Sequence, residues 1–107
     1  LKVNCTCVRV PVVRSHSISA SVITERPLAL SDVADAIESA PGCKLYDDKE
    51  KKQYPMPLLT SHQDIVYVGR LRKDLTNDNG IALWCCGDQV RKGAAANAIQ
   101  IAELFLD

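Results

Sequence analysis

Two runs of period-two alternation near the start of the chain commit it to a sheet before anything else is read. Leu1, Val3, Cys5 and Cys7 fall on one face of a strand over residues 1–10, and His16, Ile18, Ala20 and Val22 on one face of a strand over 16–25. Successive strand side chains point to opposite faces, so each run has an apolar side to bury; opposite that side in the second run stand Ser15, Ser17, Ser19 and Ser21. The connection between them, "CVRVPVVRSHS" from Cys7 to Ser17, carries an anomaly. The next position on the first apolar face is Arg9, and the second apolar face begins with His16. Each face meets a basic residue at the end nearest the connection.

If the two runs pair antiparallel around Val12-Val13, Arg9 and His16 stand opposite each other at a sheet end. Taken singly, each has a plain structural reading: a core histidine satisfied by backbone groups, and an arginine in a buried ion pair. Together they are half an active site. The guanidinium fork suits a carboxylate, and an imidazole titrating near neutrality can take or give a proton. A nucleophile and a cofactor are what the pair lacks.

The rest of the chain supplies two helices and a hairpin. Pro27 interrupts the ladder, Ser31 can cap a helix, and Val33, Ala34, Ile37 and Ala40 form its apolar face before Pro41-Gly42 ends it. Lys44–Tyr46 reads as a short apolar turn, and "DDKEKKQYPMP" as a solvated surface loop. Ile65–Leu71 and Ile81–Cys86 are strand-like, with Asn79-Gly80 suited to a tight turn between them. Asp88 can cap a last helix whose stripe is Ala94, Ala95, Ala98, Ile101, Ala102 and Phe105; it begins with alanines, which let the first turns approach another backbone or a ligand closely, and ends with bulky residues. This order predicts an α+β fold: a mixed, largely antiparallel sheet with helices on one face.

Composition narrows the partners. The 107 residues suit one small domain, and 47% hydrophobic content can form a core. Thirteen basic residues balance thirteen acidic ones, which favours neither nucleic acid nor an anionic membrane. No apolar run approaches the roughly 20 residues of a bilayer span. Five cysteines, an odd number without C-x-x-C spacing, argue against a disulfide framework or a metal site and for a reducing cytoplasm. The first residue is Leu1 rather than Met and already lies in a strand pattern, so the chain is expected to be a piece of a longer protein.

"TCVRVPVVRSHS", "YPMPL", "VGRLRKDL" and "GDQVRKGAAANAIQIAE" together resemble, in fixed order over nearly the whole chain, the C-terminal third of aspartate-semialdehyde dehydrogenase. The resemblance implies the α+β C-terminal domain of glyceraldehyde-3-phosphate-dehydrogenase-like enzymes. Residues 1–87 would belong to the substrate-binding and dimerisation domain, and 88–107 would be a C-terminal helix packing toward an N-terminal nucleotide-binding domain. It implies NADPH-dependent reduction of L-aspartyl 4-phosphate to L-aspartate 4-semialdehyde with release of phosphate, on the route to lysine, threonine and methionine. It also implies a homodimer or homotetramer in the cytoplasm, or in a plastid if the source is a plant.

Residue by residue, the family's general acid/base falls on His16, its substrate-carboxylate arginine on Arg9, and the NADP-touching amide of the "GDQ" segment on Gln89, with Asn97 a secondary candidate. The family's Gly-rich turn, phosphate contacts and Asn-Cys-Thr-type nucleophile segment have no counterpart here. "NCTC" at Asn4–Cys7 is only superficially similar to that segment, and parity puts Cys5 and Cys7 in the core as inert thiols. Two other readings stay open: a noncatalytic α+β dimerisation or binding module, and N-acetyl-glutamyl-phosphate reductase, which the Arg9-to-His16 motif fits less well.

Overall fold

The computed structural model describes residues 2–106. Leu1, first of the expected strand face, and Asp107, last of the expected helical segment, lie outside the described residues. Along the chain come β1 (His16–Ile23), α1 (Leu30–Ser39), β2 (Cys43–Leu45), the single turn α2 (Pro57–Thr60), β3 (Val66–Lys73), β4 (Gly80–Gly87), a π-helical turn (Arg91–Ala95) and α3 (Ala96–Glu103). The sheet order is β1-β4-β3-β2. β4 pairs antiparallel with both β1 and β3, whereas β2 runs parallel to β3. The fold is therefore α+β with a mixed sheet, as the strand-and-helix order predicts. What reads as an apolar turn at Lys44–Tyr46 is largely β2, and the long connection over residues 46–65, which contains α2, lets it run parallel to β3.

α1 buries the expected face: Val33, Ala34, Ile37 and Ala40 are half-buried, and the helix packs on β2 and β3. It starts earlier than Ser31 suggests, with Ala29 at the cap, because the Ser31 hydroxyl turns to the Asp32 carboxylate instead. Gly42 stops it with φ of 76°, a left-handed conformation that costs glycine little. Val68, Leu71, Ile81 and Cys86 form the core of the sheet.

β3 is bulged. Its register with β4 shifts between Gly69 and Arg72, and Arg70 sits at φ of 55°. The bulge aims the Leu71 N–H at the Asp47 carboxylate, 2.9 Å away. The β3–β4 connection is longer than a two-residue turn, and neither Asn79 nor Gly80 takes a positive φ. Asp74 organises it: its carboxylate accepts from the Thr76 N–H and hydroxyl, and its own N–H donates to the Gly80 carbonyl. Gly80 is required there for space, since a Cβ would lie 2.4 Å from the Asp74 Cβ.

The opening strand is the main correction. Residues 2–14 form no ladder; Val3, Val8 and Val13 are exposed, and so are Cys5 and Cys7, whose sulfurs lie 3.8 Å apart. The cause lies in the connection. Ser15 is buried at φ of 75°, its N–H held by Gln89 and its hydroxyl by Ser61. The chain is thereby directed toward the end of β4 rather than folded back along the open edge of β1. Cys5 and Cys7 are not core thiols, and the Cys5 pKa is raised by its neighbour Cys7. Burial does raise the thiols of Cys85 and Cys86.

Candidate functional site

The chemistry-bearing residues gather where β1 begins and β4 ends. His16 is the first residue of β1 and pairs with Gly87, so β4 delivers Asp88 and Gln89 directly beside it. Asp88 is fully buried and uses both carboxylate oxygens. Oδ2 accepts from Arg14 Nε and from the His62 N–H, each at 2.7 Å. Oδ1 accepts from the N–H groups of Val90 at 2.9 Å and Arg91 at 3.3 Å, which is the helix-capping role expected of it. Burial by itself would push the carboxyl up; Arg14 and the N–H groups of His62 and Val90 overcome that and hold it well below the usual carboxylate range. A buried aspartate thus ties together the residues before β1, the turn after α2 and the start of the last helical segment.

Two residues are strained to reach this node. Ser15 and His62 have φ of 75° and 67°, and such conformations cost on the order of 1–3 kcal/mol each in a non-glycine residue. The Ser15 N–H donates to Gln89 Oε1 at 2.7 Å, and the Ser15 and Ser61 hydroxyls lie 3.0 Å apart. Outside the node, Arg91 grips Asp64 through two bonds of 2.6 Å, which lowers the Asp64 carboxyl.

His16 and Gln89 are brought together at this end; Arg9 is not their cross-strand neighbour. It lies exposed in the unpaired segment, so the opposed Arg9–His16 pair expected from antiparallel strands does not form, for the reason given by Ser15. His16 is exposed at the sheet end. Half-buried Gln89 commits its amide oxygen to Ser15, while its amide nitrogen has no hydrogen-bond partner among the described residues. Asn97 sits on α3 with its oxygen near Lys92 Nζ; of the alanines ahead of it, Ala94 and Ala95 are exposed and Ala96 is half-buried. Arg14, Ser15, Ser61 and His62 were not legible as site residues. The available signal was the phrase "RSHS", in which the two residues preceding His16 form its support.

Over residues 2–92 the chain matches the family described as "Semialdehyde dehydrogenase, dimerisation domain". The chain belongs to that family. An aspartate-semialdehyde dehydrogenase of Synechocystis sp. is 48% identical to this dimerisation domain over 100% of the chain and 32% of its own length. One from Aquifex aeolicus is 42% identical, over 99% of the chain and 31% of its own length. The crystal structure of aspartate semialdehyde dehydrogenase II from Vibrio cholerae, complexed with ASA, superposes with a TM-score of 0.85 and 41% identity, covering 94% of this chain and 30% of that one. The chain spans about a third of the length of the curated relatives it matches. No helix among the described residues is long and apolar enough to cross a membrane.

Proposed function

We propose that this chain is the substrate-binding and dimerisation part of an aspartate-semialdehyde dehydrogenase, an oxidoreductase of amino-acid biosynthesis that converts L-aspartyl 4-phosphate to L-aspartate 4-semialdehyde and phosphate. The observation that carries the reading is 48% identity across the entire chain to an enzyme of that name. In this reading His16 is the general acid/base: an exposed imidazole, fixed at its backbone by the β1–β4 ladder, is free to move a proton at its ring nitrogens. Arg9 holds the substrate carboxylate through its fork. The nucleophile and the Gly-rich turn belong to the part of the enzyme outside these residues, and residues 88–106 pack toward it.

A nicotinamide cofactor, NADP, fits Gln89. The amide nitrogen offers two donors while the oxygen is occupied, so the side chain presents a fixed donor rather than a free rotor. Bound NADPH supplies the hydride; Gln89 orients. The enzyme is a homodimer or homotetramer acting in the cytoplasm, and the family's description as a dimerisation domain supports the assembly.

The test is an assay of the full-length protein with L-aspartate 4-semialdehyde, phosphate and NADP. Turnover is expected, and Arg9→Lys should raise the KM for the semialdehyde with kcat nearly kept, because an ammonium cannot make the bidentate contact. Preference for an N-acetylated glutamate semialdehyde would move the assignment to the reductase of that substrate. Absence of turnover with either would leave a noncatalytic dimerisation module.

A further inference from the structure

A cleft lies away from His16, on the opposite face of the sheet. It has a volume of about 350 Å³ and is walled by Tyr54, Pro55, Met56 and Trp84, with Arg70 and Arg72 at its rim and Ser19 beside Trp84. Its walls are fixed. The Trp84 indole N–H donates to the Pro55 carbonyl at 3.0 Å, and Pro55 is pressed so closely on β3 that a Cβ at Gly69 would come within 2.6 Å of it.

The bulge of β3 places both arginines here. In a regular strand residues 70 and 72 would share the face opposite Gly69 and Trp84. The extra residue of the bulge instead sets Arg72 against Ala82, on the Trp84 face, and Arg70 is held in the left-handed region with its guanidinium 5.6 Å from the centre of the Tyr54 ring. Arg72 donates to the Arg70 carbonyl at 2.8 Å. Neither forms an ion pair among the described residues, whereas Arg14 and Arg91 each have an aspartate. Asp74, the acid that senses Arg72, is engaged by Thr76. Two guanidinium groups with no carboxylate in ion-pair contact among the described residues therefore line an aromatic and proline-walled cavity large enough for one small molecule. Strain of this kind, where a non-glycine residue is held at φ of 55°, persists at sites that need a side chain re-aimed.

We propose that this cleft binds a small organic carboxylate with a flat apolar body, its carboxylate on Arg70 and Arg72 and its body against Trp84, Pro55 and Met56. The charge demands an anion, and the apolar walls demand more than an inorganic one. The site is independent of the proposed activity, because none of its residues belongs to the His16 end.

The experiment is calorimetric titration of the full-length protein with benzoate, benzamide and acetate, read in parallel by the chemical shift of the Trp84 indole N–H. Benzoate is expected to bind at least about tenfold more tightly than either control, since each lacks one of the two recognition elements. Arg70→Gln and Arg72→Gln should each weaken benzoate binding by roughly tenfold while leaving benzamide unchanged. The benzamide arm and an unaltered melting temperature report that the variants remain folded. Benzoate binding no tighter than benzamide, binding insensitive to both substitutions, or no shift of the Trp84 signal would overturn the proposal.

Discussion

Charged residues are used in two ways in this domain. At the β1–β4 end, Arg14 is spent on Asp88 and, just outside that node, Arg91 on Asp64; no buried side-chain polar atom is left unpartnered among the described residues. Around the other face of the sheet, Arg70 and Arg72 are held in place by backbone strain and a carbonyl bond but form no ion pair among the described residues. His16 is left open although it lies at the first end, and Arg9 is left open in the exposed, unpaired segment. A group whose hydrogen bonds are consumed by the fold should matter to stability, and one left open should matter to ligands. Substitutions can break that division.

The largest effect is expected at His16. In the full-length enzyme His16→Ala should lower kcat by roughly 10²–10⁴, the usual weight of a general acid/base. Its melting temperature should be nearly unchanged, because only its backbone is engaged by the ladder. Loss of stability with turnover retained would place His16 among the structural groups instead.

Asp88 should behave in the opposite sense. Asp88→Asn removes the charge that Arg14 faces, and four donors then converge on a neutral amide, one half of which is itself a donor. A fall of melting temperature on the order of ten degrees is expected for disruption of such a network. The sign of the pH dependence follows from the lowered carboxyl. Its stabilisation is complete above the unfolded value of about 4 and is lost as pH falls toward the folded one. The gap in melting temperature between the parent and Asp88→Asn should be constant above about pH 5 and narrow below about pH 4. A gap that widens on acidification would contradict the Arg14–Asp88 pairing.

This contrast also marks what could be read in the chain. β1, α1 and the β3–β4 pair follow from local periodicity, and Asp88 as a cap follows from its place before a helical stripe. The opening run alternates as cleanly as β1, yet it does not join the sheet. Period-two patterning states that a segment can be a strand; it carries no information about which edge receives it. The deciding contact, Ser15 with Gln89, spans 74 residues. The same distance in sequence hides the Arg14–Asp88 bond, while the β3 bulge is hidden because Arg70 looks like an ordinary exposed strand residue. His16 and Gln89 could be nominated through the family resemblance, but the reason they meet, the pairing of His16 with Gly87, is a property of the register.

Gln89 belongs to both classes at once, which makes it the sharper test. Gln89→Ala leaves the Ser15 N–H without its acceptor and should cost about 1–3 kcal/mol, while also weakening NADP binding. Gln89→Glu retains an oxygen for Ser15 but loses the amide donors. It should therefore recover much of the melting temperature without recovering NADP affinity by calorimetry. Recovery of both together, or full NADP affinity in Gln89→Ala, would reduce Gln89 to a structural residue.

The smallest effect is expected at Arg91. Its paired bonds to Asp64 have good geometry, but both side chains are nearly half exposed, at 44% and 48%. Exposed pairs gain little because solvent and salt screen them and because ordering two long side chains costs entropy. Arg91→Gln should change the melting temperature by no more than about 2 °C at physiological salt, with the difference growing as salt is withdrawn. The Arg91 N–H that reaches Asp88 Oδ1 is backbone and survives the substitution. An effect as large as that of Asp88→Asn would mean that the surface pair, rather than the buried carboxylate, anchors the last helical segment to the sheet.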